Sequence, residues 1–199
     1  MNDKYKMLVE KLSKDPANTY SIQEAELLAD KVLEISGYAN QSIPIPILKI
    51  IRNFDFNVLS VKNIPDDISG NIFIGGSTSK YYDSNQVIVV GDNEVLQHQR
   101  FIFAHELAHY LLDYLGNEDY ANNKIFSRAY LKMNHDDIEE VRADRFAAEI
   151  LMPKKIFIFE YAKAMKKSNY NKVYTLNYLS KLFNTKISCI NRRIQEVID

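Results

Sequence analysis

Apolar residues recur at helical spacing through the first part of the chain. A short helix is expected over residues 3–14, which carry one apolar side. Ser21 and Glu24 form a capping-box pattern at the start of a second amphipathic helix, and Gly37 is suited to end it. The apolar positions of that second helix are Ile22, Ala25, Leu28, Ala29, Val32 and Leu33. Pro46 can occupy the first turn of a third helix.

The middle of the chain has the pattern of short strands. Its apolar runs are rich in β-branched and aromatic residues, and turn-forming residues such as Pro65-Asp66 and Gly75-Gly76 follow them. These runs are Phe56–Val61, Ile72–Ile74 and Gln86–Val90. They predict a small sheet of about three strands.

The helical spacing returns at Asn93 and continues to Leu115, where Gly116 would end the helix. Residues 117–134 have no clean period, which predicts loop with a short helical piece. A further helix is expected from about residue 136 to Leu151, because the residue before a proline disfavours the α conformation.

The last part of the chain is predicted to contain two or three helices over residues 154–198. Residues 176–197 resemble a helix-turn-helix, with Arg192 and Arg193 expected to be exposed on its second helix. The predicted fold is α+β and mostly helical, with the small sheet beside the 93–115 helix and a helical C-terminal subdomain. The expected divisions are N-terminal helices at 1–39, a core at 40–153 and the subdomain at 154–199.

Composition is that of a globular protein of 199 residues, with 46% hydrophobic residues and one cysteine, Cys189. A single cysteine rules out an internal disulfide framework and fits a reducing compartment. The first residues have no apolar segment of the secretory type, and no window is apolar enough to cross a membrane. We therefore expect a cytoplasmic protein without a membrane partner.

Charge is unevenly distributed along the chain. The part before Pro153 has 15 basic and 23 acidic residues, a net charge of −8, whereas the rest has 10 and 3, a net charge of +7. Such asymmetry fits a nucleic-acid contact, or a basic helical end that pairs with an acidic body. The second interpretation is favoured, because a sequence pI of about 6.4 is far from that of a dedicated nucleic-acid binder.

The sequence His105-Glu106-Leu107-Ala108-His109 carries the clearest chemistry. Within a helix, this HExxH spacing places two imidazoles one turn apart on the same face, where both can bind one zinc ion. Glu106 lies about 100° round the helix from His105, so it can act as the general base without being a ligand. A surface helix without function is the alternative interpretation.

A catalytic zinc usually has three protein ligands, so a third must come from elsewhere in the chain. Glu140 and Asp144 lie four residues apart on one predicted helix face. Glu140 would bind the metal, and Asp144 would accept the outer N–H of one histidine. Glu139 projects about 100° away and Glu149 lacks such a partner. An acidic, solvated helix face is the alternative.

Residues 99–109 and 140–153, including the pattern Glu140-x-x-x-Asp144, resemble the ImmA/IrrE family of zinc metallopeptidases. The resemblance extends over about residues 83–153 and is looser over 40–82. It implies His105 and His109 as zinc ligands and Glu106 as base. It further implies Glu140 as third ligand and Asp144 as its outer partner. Ala108 departs from the glycine common there.

A hydrolytic site also needs a donor that stabilises the oxyanion. The sequence offers four candidates and does not choose among them: Tyr82, Tyr130, His135 and Arg142. His135 could also be an extra ligand, although a loop residue is the simpler interpretation. His98 is expected to be a structural or surface residue.

The resemblance implies a zinc-dependent endopeptidase that cleaves a specific partner, typically a helix-turn-helix transcriptional repressor encoded nearby. Two alternatives remain. One is a regulator or toxin–antitoxin component that binds metal without cleaving, and the other is a DNA-binding module that uses the C-terminal helices.

Overall fold

Seven segments of the chain are described by the computed structural model. They are residues 1–15, 19–39, 43–62, 68–75, 84–116, 126–131 and 138–198. No helix within these segments is both long and apolar enough to cross a bilayer.

Three helices form the N-terminal part, α1 (Asp3–Leu12), α2 (Ile22–Ile35) and α3 (Ile47–Asn53). The capping box predicted at the start of α2 is present: Ser21 Oγ accepts from the Glu24 backbone, and the Glu24 carboxylate accepts from the Ser21 backbone. Five of the six predicted apolar positions of α2 are buried, so this helix contributes one face to the core.

Four strands form the described sheet, β1 (Asn57–Val61), β2 (Ile68–Ile74), β3 (Gln86–Gly91) and β4 (Phe126–Leu131). Their order is β1-β3-β2-β4. β1 runs parallel to β3, whereas β2 runs antiparallel to both β3 and β4.

The fourth strand corrects one expectation from the sequence. The segment 117–134 was expected to be loop with a short helical piece, but Phe126–Leu131 pairs with β2. Ser, Arg and Ala in this strand have low or moderate β propensity, so its conformation depends on hydrogen bonds to a distant strand. Such pairing leaves little local signal in the sequence.

The helix that carries the HExxH sequence, α4, runs from Leu96 to His109 and continues as a π-helical turn over Tyr110–Tyr114. Gly116 follows with φ of +78°, which confirms the predicted stop. Every residue from Ile102 to Tyr114 is buried. A helix buried on all sides has no apolar stripe, and α4 is therefore an internal element of the fold.

Four helices complete the fold, α5 (Ile138–Leu151), α6 (Lys154–Lys167), α7 (Lys172–Phe183) and α8 (Ile187–Val197). Three helices after Pro153 agree with the upper predicted number. One expectation for α8 is wrong: the Arg193 side chain is fully buried, because it pairs with the buried carboxylate of Glu149. Arg192 is partly exposed and pairs with Asp144.

The layers place α4 at the centre of the molecule. α4 packs against β2, β3 and α5, and α5 in turn packs against α2. Gly70 in β2 faces α4 directly, since a Cβ there would overlap Ile102 Cγ2 and lie 3.3 Å from the Val89 carbonyl oxygen. The glycine thus lets the sheet approach the helix that carries the two histidines.

We predict that Gly70→Ala lowers the free energy of unfolding by about 1–3 kcal/mol, because the buried isoleucine of α4 cannot move aside freely. Urea denaturation would measure this change. Gly91→Ala is the matched control: the Cβ would lie 2.5 Å from Asn93 Oδ1, on an exposed side chain that can turn away. Equal losses in both variants would contradict the close packing of β2 on α4.

Candidate metal centre

Two imidazoles and one carboxylate meet between α4 and α5. His105 and His109 lie one turn apart on α4, and their Nε2 atoms are 2.9 Å from each other. Glu140 reaches them from the first turn of α5, with Oε2 3.2 Å from His105 Nε2 and Oε1 3.4 Å from His109 Nε2. Both histidines are fully buried and the Glu140 side chain is 17% exposed.

The outer nitrogen of each imidazole faces a carboxylate. His105 Nδ1 lies 3.0 Å from Asp144 Oδ1, and His109 Nδ1 lies 2.5 Å from Asp113 Oδ2. An ionised carboxylate can only accept, so each Nδ1 must carry the proton and donate it. Each Nε2 of a neutral ring is then left with a lone pair.

Three electron-pair donors therefore point at one place. The two Nε2 lone pairs and the Glu140 carboxylate repel one another unless a cation or protons lie between them. A tetrahedral ion with bonds of about 2.0–2.1 Å separates its ligands by about 3.4 Å, close to the distances between these atoms. Among the described residues this is the cluster whose donor atoms could hold a metal.

Glu106 follows His105 on α4 and its side chain is 1% exposed. β2 runs past this side chain, since a Cβ on Gly70 would lie 3.7 Å from Glu106 Oε1. Glu106 thus faces the sheet side of α4, beside the cluster and outside its set of three donors. A buried carboxylate next to a cation site can hold a proton or release it.

Two arginines hold the outer carboxylates. Arg142 Nη2 donates to Asp113 Oδ1 at 3.1 Å, and Arg142 Nη1 donates to the carbonyl of Tyr20 at 2.8 Å. Arg192 Nη1, on α8, donates to Asp144 Oδ2 at 2.7 Å. Each imidazole therefore contacts a carboxylate, and that carboxylate in turn contacts a guanidinium.

Sequence reasoning missed Asp113 and Arg192, and it gave Arg142 the role of an oxyanion donor instead of a partner of Asp113. Asp113 lies four residues after His109, the same helical spacing that relates the two histidines, so the sequence did contain a signal for it. Arg192 lies 48 residues from Asp144 and comes from another helix, so no local pattern could have linked them.

The other candidate residues have different surroundings. Tyr82 and His135 lie outside the described residues, and only the backbone of Tyr130 is described, within β4. His98 Nε2 lies 3.7 Å from Glu94 Oε2, near the start of α4. Glu149 accepts from the Lys154 backbone N–H at 2.8 Å, besides its pair with Arg193, so it serves the start of α6.

The same charges govern the pKa values in the metal-free protein. Burial alone would lower the pKa of His105, but hydrogen bonds to Asp144 and Glu140 outweigh it and raise this pKa from 6.5 to about 9. The pKa of His109 is raised in the same way by Asp113 and Glu140, against the effect of its burial. Burial would raise the pKa of Glu140 and of Asp144. The two histidines nevertheless hold the pKa of Glu140 well below its usual range, and His105 together with Arg192 lowers the pKa of Asp144.

We predict that the chelator-treated protein loses stability as pH rises from 6.5 to about 9. A histidine pKa raised on folding stabilises the fold fully below the unfolded value and ceases to do so above the folded value. The expected loss in the free energy of unfolding is about 1–3 kcal/mol, measured by urea denaturation across this range. Zinc-loaded protein is the control and should lack this decline. Equal stability of the chelated protein at pH 6.5 and 9 would contradict the pairing.

Comparison with curated proteins finds none that matches this chain. Among solved structures, a Mycobacterium tuberculosis transcriptional regulator has a similar fold, with a TM-score of 0.54 and 16% sequence identity. The likeness covers 97% of this chain and 51% of that protein, so the chain spans about half the length of the regulator. At this identity the comparison shows the fold alone.

The family comparison is more specific. The IrrE N-terminal-like domain, Peptidase_M78, matches residues 74–195. This segment is more than half of the chain and contains α4, α5 and all but the last residues of α8. It therefore includes the two histidines and Glu140 on the facing helix. This chain belongs to the IrrE N-terminal-like family of metallopeptidases, the ImmA/IrrE family that its sequence resembles.

Proposed function

We propose that this protein is a zinc-dependent endopeptidase. His105, His109 and Glu140 hold the metal, and Glu106 is the general base. The observation that carries the proposal is the convergence of two Nε2 lone pairs and one carboxylate within 3.4 Å, each histidine being oriented by its own aspartate. Membership of a peptidase family supports the same conclusion.

Zinc fits the chemistry of these donors best. Two imidazole nitrogens and one carboxylate form a ligand set that catalytic zinc sites use, with a fourth position left open. Calcium and magnesium prefer sites made of oxygen atoms alone. When bound, zinc polarises the scissile carbonyl and makes water acidic enough to attack near neutral pH.

The side chains around the metal have separate tasks. Glu106 takes the proton of the attacking water and returns it to the leaving amine, because it is a buried carboxylate beside the ligands without being one of them. Asp144 and Asp113 keep the protons on Nδ1 and thereby leave Nε2 free for the metal. The oxyanion donor would be one of Tyr82, Tyr130 and His135. Arg142 is not proposed for this role, because its buried guanidinium donates to Asp113 and to the Tyr20 carbonyl.

For the substrate we propose a helix-turn-helix transcriptional repressor encoded near this chain, cleaved in the cytoplasm. Membership of the ImmA/IrrE family supports this choice, and the transcriptional regulator of similar fold agrees with a regulatory setting. We do not propose direct DNA binding by α7 and α8. Of the two arginines expected to be exposed, Arg193 is buried in its pair with Glu149, and the partly exposed Arg192 pairs with Asp144.

We predict that Glu140→Gln loses at least tenfold in zinc affinity, because an amide oxygen replaces the charged ligand. Metal content after dialysis, measured by atomic emission, would show the loss. Glu139→Gln is the matched control, since Glu139 is the neighbouring acid in the same helical turn but does not belong to the cluster. If Glu140→Gln retains as much zinc as Glu139→Gln when the dialysis buffer contains a competing chelator, Glu140 is not a ligand.

We predict that Glu106→Gln keeps its zinc and loses cleavage by about 10²–10⁴-fold, because the amide cannot take a proton from water. The assay incubates the purified protein with the repressor encoded beside it and follows the fragments by mass spectrometry, with and without chelator. Glu139→Gln again serves as control. A Glu106→Gln protein with full biological activity would favour the non-cleaving regulator.

A further inference from the structure

Each of the two histidines of the metal centre is held by a row of charged partners, and the two rows differ in the exposure of their arginine. In each row a carboxylate orients the imidazole and an arginine orients the carboxylate. The rows are His109–Asp113–Arg142 and His105–Asp144–Arg192.

The row that begins at His109 lies within the core. His109 and Asp113 belong to one continuous helical stretch, and the Arg142 side chain is 2% exposed. Arg142 is also fixed at its other nitrogen, which donates to the Tyr20 carbonyl. The π-helical turn and the segment before α2 therefore both hold this guanidinium in place.

The row that begins at His105 ends at the surface. Arg192 comes from α8, and its side chain is 43% exposed although Asp144 is only 6% exposed. Beside it lies a cavity of about 300 Å³, lined among others by Phe101, Met152 and Cys189. A second contact, from Arg192 Nε to Glu196 Oε1 at 3.3 Å, holds the guanidinium along α8.

We propose that Arg192 is a positioning residue for the metal centre and acts through Asp144 on His105. The inference rests on the proposed zinc site. Asp144 presents one oxygen to His105 and the other to Arg192, so the guanidinium fixes the direction of the carboxylate and hence the plane of the ring. Through this contact, α8 helps to position a ligand of the metal centre.

Two effects of removing Arg192 oppose each other. Loss of a positive charge near the site favours a bound cation, but by a few-fold at most, because the guanidinium is 43% exposed and screened by water. Loss of a direct outer partner of a ligating histidine typically costs about 10–100-fold in metal affinity. Arg192 is one contact further from His105, so its loss is expected at the lower end of that range, about 10-fold. The second effect is larger, so the net result is weaker binding.

The test compares zinc affinity in four proteins by competition with a chromophoric chelator. Arg192→Met should bind about 10-fold more weakly than the natural protein, and Arg192→Lys, which keeps a cation able to reach Asp144, should recover most of the loss. Arg145→Met is the matched control. It removes pairs that join α5 to Glu26 of α2 and Glu196 of α8 without touching Asp144.

Cobalt(II) supplies a second readout, because its visible spectrum reports the geometry of its ligands. The spectrum of the cobalt-loaded protein should change in Arg192→Met, return toward the natural one in Arg192→Lys, and stay unchanged in Arg145→Met. Thermal melting of each metal-free variant shows whether the fold is kept. If the methionine variant fails to fold, Arg192→Ala, for which the same loss is expected, takes its place.

Each other result overturns a defined part of the reasoning. Natural affinity and an unchanged cobalt spectrum in Arg192→Met, or in Arg192→Ala where that variant takes its place, would refute the positioning role. An equal loss in Arg192→Met and Arg145→Met would attribute the effect to a loosened α8. Absence of zinc binding by the natural protein would refute the proposed metal site itself, which separates the two failures.

Discussion

The structure depends on one electrostatic constraint: a group of acceptor atoms is buried between α4 and α5 and must have positive charge within it. Two Nε2 atoms and the Glu140 carboxylate converge where little water can solvate them. Burial of unpaired acceptors is costly, so the site needs either protons or a metal ion. In the metal-free protein protons meet this requirement, which is why the pKa values of the two histidines are raised. In the loaded protein the proposed zinc ion would meet it.

The packing around this centre follows from the requirement for close approach. α5 presents small buried residues, Ala143, Ala147 and Ala148, to its neighbours, and Gly70 does the same from β2. Because α4 is enclosed by the sheet and by α5, its polar side chains have partners within the protein. The uneven charge along the chain has a structural use as well. The basic C-terminal part supplies Lys186, Arg192 and Arg193, which pair with acids of the body.

Local signals predicted much of the fold. The capping box at Ser21, the stop at Gly116 and the three apolar runs of the sheet were all readable, because each depends on neighbours in sequence. β4 was missed, since its pairing with β2 is set by a strand far away along the chain. The π-helical turn after His109 was missed too, because an apolar repeat does not distinguish it from a regular helix.

The candidate site divides in the same way. The spacing within α4 and within α5 indicated the two histidines, Glu106, Glu140 and Asp144, and the structure brings the histidines, Glu140 and Asp144 together. Asp113 had a spacing signal that was overlooked. Arg192 had none, since only the tertiary fold brings α8 to α5. The exposed position expected for Arg193 was wrong, because a pattern of basic residues does not show which carboxylate lies opposite.

The buried pair of Arg193 and Glu149 has a consequence for the order in which the helices dock during folding. Glu149 lies 44 residues before its partner, so α5 brings this acid into the core without its counter-charge until α8 docks. Breaking such a buried pair by removing one partner typically costs about 3–5 kcal/mol. Because Arg192 lies on the same helix, a protein whose α8 has not docked lacks a partner both in the interior and beside the histidine cluster. Docking of α8 and the final orientation of the His105 side chain are thereby coupled.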